Sequence, residues 1–269
     1  MRKHFVNEVS KTQNTKRADL IEKDLILHQV LIDLSKSKFF QDNYAFKGGT
    51  CLAKCYLDYF RFSEDIDFTW KNQGAFNSKS QKEIRRYLST VIDNTGKIFE
   101  DIAKTRDLAF RCMKDNSAFV ELTGNDKMCT FKLWYQSEAL GRRTFLKVQI
   151  NFVEKICYPL KNGKLKSLIS KNQEELVLLF PEYKEYTEEI DFDIYDPQEI
   201  LTEKIRAILT RKGTKARDYL DVYLIEKNFD ISLDEVFDCV VEKTRFTLNL
   251  YARYRDNLEK KKVTIMSTP

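Results

Sequence analysis

Histidine is nearly missing from this sequence: His4 and His28 are the two among 269 residues. A Ser-His-Asp hydrolase, a histidine-rich zinc site or a histidine acid–base pair needs imidazoles that are not there, so catalysis is expected to run on carboxylates. Only 8 glycines and 4 prolines occur, which excludes collagen-like, linker-rich or low-complexity architecture. No stretch approaches the ~20 apolar residues of a membrane span, so no membrane partner is expected. The 6 cysteines form no C-x-x-C pair, and residues 1–10 lack the apolar run of a signal peptide. Reduced, buried thiols in a cytoplasmic protein are the expectation. Excess charge is scarce too: 46 Lys+Arg against 41 Asp+Glu leaves +5, which permits a polyanionic partner but is far from a histone-like balance.

What is present is the material of a folded core, with 42% hydrophobic and 13% aromatic residues. At about 150 residues per domain the length corresponds to one large or two modest domains. Residues 1–17 read as a polar tail. Leu20, Ile21, Leu25, Leu27, Leu31, Ile32 and Leu34 then fall on one broad face of a helix over Ala18 to Ser35. A short strand over Tyr44 to Lys47, a glycine turn, a helix carrying Leu52, Ala53, Tyr56 and Leu57, and a strand alternating around Ile66 and Phe68 make a strand–turn–helix–strand unit. A long charged helix is expected over Ser78 to Lys104. Strands are expected at Leu108 to Met113, Ala118 to Thr123, Thr130 to Tyr135 and Thr144 to Phe152, the last with Lys147, Gln149 and Asn151 on its polar face. Beyond Asp196 the pattern is helical. Asp196, Pro197 and Glu199 are ordered helix-start signals for a helix to about Lys212, ended by Gly213, and three further helices fit Thr214 to Lys227, Leu233 to Thr244 and Leu248 to Lys261. The partition is a mixed-sheet domain over residues 1–195 and a helical domain over residues 196–269.

The segment richest in chemistry is Phe46-Lys47-Gly48-Gly49-Thr50 followed by Arg61-Phe62-Ser63-Glu64-Asp65-Ile66-Asp67-Phe68. An acid-x-acid pair is common by chance, about six in a chain this acidic. In a strand, however, residues two apart share a face, so Asp65 and Asp67 set two carboxylates side by side, where repulsion is costly unless a cation lies between them. Such hard oxygen ligands suit Mg²⁺, which keeps waters and completes its shell with phosphates. The alternative is a solvated strand with acids facing water. Gly48-Gly49 leaves the backbone open to an anion at the start of the next helix, and Thr50 adds a hydroxyl; the alternative there is a turn using glycine for conformation alone. Downstream, Lys204 and Arg211 share a helix face, as do Asp218 and Asp221 on the next helix. Two antiparallel helices joined at Gly213 would oppose these cations and carboxylates.

A G-[GS]-[ST] turn followed by D-h-D-h on the next strand resembles the polymerase-β-type nucleotidyltransferase superfamily. Phe46 to Lys54 with Arg61 to Phe68 resembles, more narrowly, the AbiEii family of nucleotidyltransferase toxins, to which the MenT toxins belong. Glu22-Lys23-Asp24 through Leu31 resembles that family's opening helix. Glu199 through Leu209 and Arg217-Asp218-Tyr219-Leu220-Asp221 resemble its C-terminal signatures. The resemblance covers roughly Ile21 to Ile225 and implies an α+β, polymerase-β-like fold with a mixed sheet flanked by helices and a C-terminal helical domain.

It further implies transfer of a nucleoside monophosphate from a nucleoside triphosphate to the 3′ end of tRNA, blocking translation, by the toxin of a toxin–antitoxin pair with a possible cognate antitoxin. On this reading Asp65 and Asp67 bind Mg²⁺, with two ions possible. Lys47, Gly48, Gly49, Thr50, Ser63, Lys204 and Arg211 hold the nucleotide, and Asp65, Asp67, Lys204 and Asp218 form the catalytic group, with Asp218 or Asp221 orienting Lys204 or assisting the attacking hydroxyl; the alternative is an Arg–Asp network that pins the two helices together. The superfamily's third acid has no counterpart at Gln149 or Asn151, which leaves Asp191, Asp193, Asp218 or Glu154 as substitutes. Arg206, Arg211, Lys212, Lys215 and Arg217, with Lys243, Arg245, Arg253, Arg255 and Lys260 to Lys262 beside Tyr251 and Tyr254, are candidate RNA contacts; the alternative for the later charges is solvated helix faces. The alternatives are nucleotidyl transfer to a small molecule or a protein, and a catalytically silent binding relative.

Overall fold

The computed structural model describes residues 2–169 and 174–267, and only the backbone of residues 174 and 262–267. In chain order the elements are α1 (Arg2–Thr12), α2 (Ala18–Lys36), α3 (Lys38–Asn43), β1 (Tyr44–Lys47), α4 (Gly48–Cys51), β2 (Asp65–Trp70), α5 (Gln81–Thr105), β3 (Val120–Thr123), β4 (Met128–Ser137), β5 (Arg142–Asn151), β6 (Lys161–Leu165), α6 (Glu174–Leu179), β7 (Ile190–Ile194), α7 (Pro197–Thr210), α8 (Ala216–Phe229), α9 (Leu233–Leu250) and α10 (Ala252–Ser267). They form two compact units. One comprises Met1–Phe152 and Asn162–Ile194; the other comprises Val153–Lys161 and Tyr195–Pro269.

The first unit is built on a seven-stranded mixed sheet in the order β3-β4-β5-β2-β1-β7-β6. Period-2 alternation decides its two faces. Phe46, Phe68, Val148, Ile150, Phe131 and Phe192 are fully buried on one side, where Phe40 packs edge-on against Phe68 at 4.7 Å between centroids and Phe99 of α5 lies over Phe131 at 4.8 Å. The other side carries Asp65, Asp67, Lys147 and Gln149, all half-buried. Burial of each large apolar side chain contributes about 2–3 kcal/mol, so the aromatic side is what fixes the register of the polar one.

Helix α5 begins at Gln81, three residues after the expected Ser78, because Ser80 forms a capping box with Glu83. Segment 108–113, expected as a strand, contributes only an isolated antiparallel bridge between Ala109 and Trp134. The segment crosses α5 at Gly96, where a side chain would come within 2.1 Å of the Cys112 sulfur, so its course is dictated by helix packing. The expected polar tail contains helix α1, whose Phe5, Val6 and Val9 are buried against Ile21, Leu25 and Tyr186. Met1 lies outside the described residues. No disulfide joins any of the six cysteines, and only Cys51 and Cys129 are buried, where burial of all six was expected.

The second unit is helical. Helix α7 starts where expected, with Asp196 accepting the Gln198 amide at 2.7 Å and Pro197 in the first turn. Glu199 completes no capping box. Its buried carboxylate instead accepts the backbone N–H groups of Cys157 and Tyr158 at 2.9 and 2.8 Å and pairs with the buried ammonium of Lys243. Lys243 therefore belongs to the interior of this unit, not to the basic RNA-facing surface expected for it. The Asn257 amide and the Lys261 ammonium donate to the carbonyls of Thr210 and Ile208, satisfying the last turn of α7. The Lys262 side chain lies outside the described residues.

Candidate active site

Antiparallel pairing of β1 with β2 sets Lys47 opposite Asp67, and parallel pairing of β2 with β5 sets Lys147 beside Asp65 and Gln149 beside Asp67. The two acids thus share one face of β2, as their spacing requires. The chain leaves β1 through Gly48 at φ +77°, a left-handed conformation that a side chain strains. A Cβ there would lie 2.6 Å from Oδ2 of Asp67, so the missing side chain is the space in which the Asp67 carboxylate sits. Thr50 is buried at the first turn of α4; its hydroxyl is within 2.6 Å of the Ser63 hydroxyl and donates to the Asp65 carbonyl. Glycine turn, Ser63 and acid strand are thereby one connected feature, with the Thr50 hydroxyl directed at β2.

The helix continues past Cys51 as a wider π-helical turn over Leu52–Tyr56. This turn carries Lys54, 2% exposed, whose ammonium pairs with Asp24 of α2 at 2.9 Å. The Tyr186 hydroxyl donates to the same carboxylate at 2.5 Å, and Tyr59 packs into the cluster. Burial lowers the pKa of Lys54, opposed by Asp24. The glycine turn is thus anchored at its far end by a buried ion pair, which is costly to break.

Two half-buried carboxylates on one strand face offer hard oxygen donors of the kind Mg²⁺ takes alongside water and phosphate. Asp67 is held in a cradle that a Cβ at Gly48 would fill, so the residues present fit a cation bound jointly with a phosphate ligand. Among the described residues no group of three or more His, Cys, Asp or Glu side chains is arranged for a metal. The neighbouring position on β5 is Gln149, whose amide reaches toward Thr130 at 3.3 Å. Of the acids considered as a third ligand, Asp193 pairs with Lys71 at 2.5 Å, and Asp191 is exposed on β7 with its carbonyl accepting from Gln41. In the second unit, Glu154 accepts the Tyr195 hydroxyl.

The second unit gathers Lys204, Arg211, Asp218 and Asp221. The Lys204 ammonium lies 3.1 Å from Asp218 and 2.7 Å from Asp221, and Arg211 pairs with the other oxygen of Asp218. Both acids are buried, so they are neutralised by cations from α7 and the residue capping it. Partners later on α7 meet residues earlier on α8, as in a helical hairpin. The structure therefore brings Lys47, Gly48, Gly49, Thr50, Ser63, Asp65 and Asp67 together in one unit and Lys204, Arg211, Asp218 and Asp221 in the other. Sequence reasoning singled out neither the Glu199–Lys243 pair nor Asp24–Lys54, because long-range charge pairs leave no periodic signal.

A glycine turn packed on an acid strand, in a seven-stranded mixed sheet flanked by helices and followed by a helical unit, is the α+β architecture of a nucleotidyltransferase fold. The family model described as nucleotidyl transferase AbiEii toxin, type IV TA system, matches residues 29–264. The chain belongs to this family, the nucleotidyltransferase toxins of type IV toxin–antitoxin systems. Among solved structures, the crystal structure of JHP933 from Helicobacter pylori is similar at 14% identity and a TM-score of 0.45, covering 93% of this chain and 97% of that one. No curated protein matches. Among the described residues, no helix is long and apolar enough to cross a membrane.

Proposed function

We propose that the protein transfers a nucleoside monophosphate from a nucleoside triphosphate to the 3′ end of tRNA, releasing pyrophosphate and blocking translation, with Mg²⁺ held by Asp65 and Asp67. The observation that carries this reading is the packing of Gly48 on the Asp67 carboxylate, which joins the glycine turn and the acid pair into one feature. Lys47, Gly48, Gly49 and Ser63 bear on the triphosphate, and Thr50 holds the turn against β2. Lys204 bears on the phosphates, where its charge offsets that developing on the leaving pyrophosphate. Asp218 and Asp221 hold its ammonium, and Arg211 adds a second cation. Bound there, Mg²⁺ would supply polarisation of phosphate oxygens and activation of the attacking hydroxyl. The family's place in toxin–antitoxin systems supports a cognate antitoxin as partner.

Incubation of the protein with purified tRNA and each labelled triphosphate, followed by mass spectrometry, tests the reading. Label at the tRNA 3′ end is expected, abolished by chelation and reduced at least a hundredfold by Asp65→Ala or Asp67→Ala. Wild-type labelling by the double variant would sink the metal assignment. Label on an aminoglycoside or a protein, with tRNA unmodified, replaces the acceptor; no transfer at all, with RNA still bound, makes the protein a silent relative, a result to which Gln149 in place of a third acid would then be the key.

A further inference from the structure

The face of the sheet that carries Asp65 and Asp67 does not end with them. Strand register continues it outward along the β4–β5 hairpin. Lys147 lies beside Asp65, Lys132 beside Lys147, then Phe145 opposite Trp134, then Arg143 opposite Gln136. Side chains two apart on each strand share this face, and the alternate positions Leu133, Tyr135, Leu146 and Val148 are buried on the other. The Trp134 and Phe145 rings lie 4.6 Å apart between centroids and are half-buried. The Arg143 guanidinium sits 5.2 Å over Trp134, and the ammonium groups of Lys132 and Lys147 each lie 5.9 Å from the Phe145 ring. At about 3.4 Å per residue and 4.8 Å between strands, Phe145 lies ~8 Å and Trp134 ~12 Å from Asp65.

The charges along this strip are uneven. Three bordering acids are engaged, Glu64 with Lys23 at 3.0 Å, Glu121 with Lys132 at 2.7 Å, and Glu138 with the Lys3 amide at 2.8 Å, while the exposed Asp107 lines the same cavity as Trp134 and Arg143. Among the described residues, neither Arg143 nor Lys147 takes part in an ion pair. The strip is therefore two aromatic rings flanked by Arg143 and Lys147, two cations outside any ion pair, which complements a polyanion carrying flat bases. It is also rigid. Glu22 of α2, buried, accepts from the Ser137 hydroxyl and from the amides of Glu138 and Ala139, which ties down the hairpin turn; the Trp134 indole donates to the Ala118 carbonyl at 2.7 Å.

We propose that Trp134, Phe145, Arg143 and Lys147 form a platform for the single-stranded end of an acceptor RNA, the rings stacking the two or three nucleotides behind the terminal residue and the cations taking their phosphates. The spacing suits it, since ~8–12 Å corresponds to two or three stacked nucleotides at about 3.4 Å each. The inference rests on the nucleotidyl-transfer reading for the choice of a strand end, but the test reads binding rather than transfer.

Fluorescence anisotropy of a short labelled single-stranded RNA and of its blunt duplex, titrated with the full chain, provides that test. The single strand is expected to bind more tightly and to quench tryptophan emission, since Trp70 is buried and Trp134 is half-exposed. Trp134→Leu and Arg143→Glu should each weaken single-strand binding about tenfold, the loss expected for one stacking base. Either variant, natively folded by circular dichroism, binding within twofold of wild type would overturn the platform. If Trp134→Leu fails to fold, Arg143→Glu decides alone, because its side chain is exposed. Loss of ATP binding with RNA binding intact would assign the rings to the incoming nucleobase, and a concentration-dependent dimer dissolved by Arg143→Glu would assign them to a second copy; both overturn the proposal. RNA binding through these residues by a protein that transfers no nucleotide would leave the platform standing and remove the proposed function.

Discussion

At the scale of single residues, Gly48 is the position where backbone geometry and chemistry coincide. Its φ of +77° and the 2.6 Å approach of Asp67 both forbid a side chain, so Gly48→Ala either rotates the turn or expels the carboxylate. The expected result is a fall of roughly a hundredfold in tRNA labelling, as for a 1 Å misplacement of reacting groups, with the fold retained. His28 offers a second test. It is buried, its Nε2 donates to the Glu188 carbonyl at 3.1 Å, and burial, with the Lys54 ammonium nearby, holds its pKa well below the ordinary 6.5. A base depressed in the folded state contributes stability fully present above pH 6.5 and lost as pH falls below it, at up to about 1.4 kcal/mol per pH unit. Urea midpoints at pH 7.5 and 5.5 should therefore diverge more for the wild type than for His28→Gln.

At the scale of elements, the α7–α8 hairpin joins a structural role to the proposed catalytic one. Lys204→Ala removes the ammonium that the buried Asp218 and Asp221 share and is expected to cost about 3 kcal/mol in denaturant unfolding. Adding Asp221→Asn removes one of the two buried negative charges beside the lost ammonium and should recover part of that stability. If Lys204 also bears on phosphate, the double variant stays inactive; recovery of transfer along with stability would reduce Lys204 to a pin between helices. Both signatures are readable in the sequence because helical spacing places 204 with 211 and 218 with 221. That Asp221 pairs with Lys204 follows only once α7 and α8 fold back on one another.

At the scale of the whole molecule, helix α1 packs as part of the first unit's core. Phe5 stacks on Tyr183 at 4.3 Å and meets Tyr186 edge-on, and Tyr186 holds the Asp24 carboxylate that pairs with Lys54. Deleting residues 2–12 removes the buried Phe5, Val6 and Val9, which at about 2 kcal/mol each makes a loss of about 6 kcal/mol. The truncated chain is expected to melt many degrees lower and to label tRNA poorly even when folded, because the ion pair anchoring the glycine-turn helix becomes solvent-accessible. Unchanged melting would show that α1 contributes nothing to this core.

Local rules account for what was legible. The glycine turn, the shared face of Asp65 and Asp67, the Asp196–Pro197 helix start and the alternation of β5 are set by residues within a few positions of one another, where period and capping chemistry act. The order of motifs along the chain carried the family. Tertiary structure decided what depends on partners far away. It converted Glu199 from a helix-start signal into the buried partner of Lys243, took Lys243 off the surface, denied segment 108–113 a strand, and drew the apolar side of a polar tail into a core. It also set Lys147, Phe145 and Trp134 on the open face beside the acids. Each of these depends on charge compensation or apolar burial between segments distant in sequence, and that energy has no value until the chain has folded.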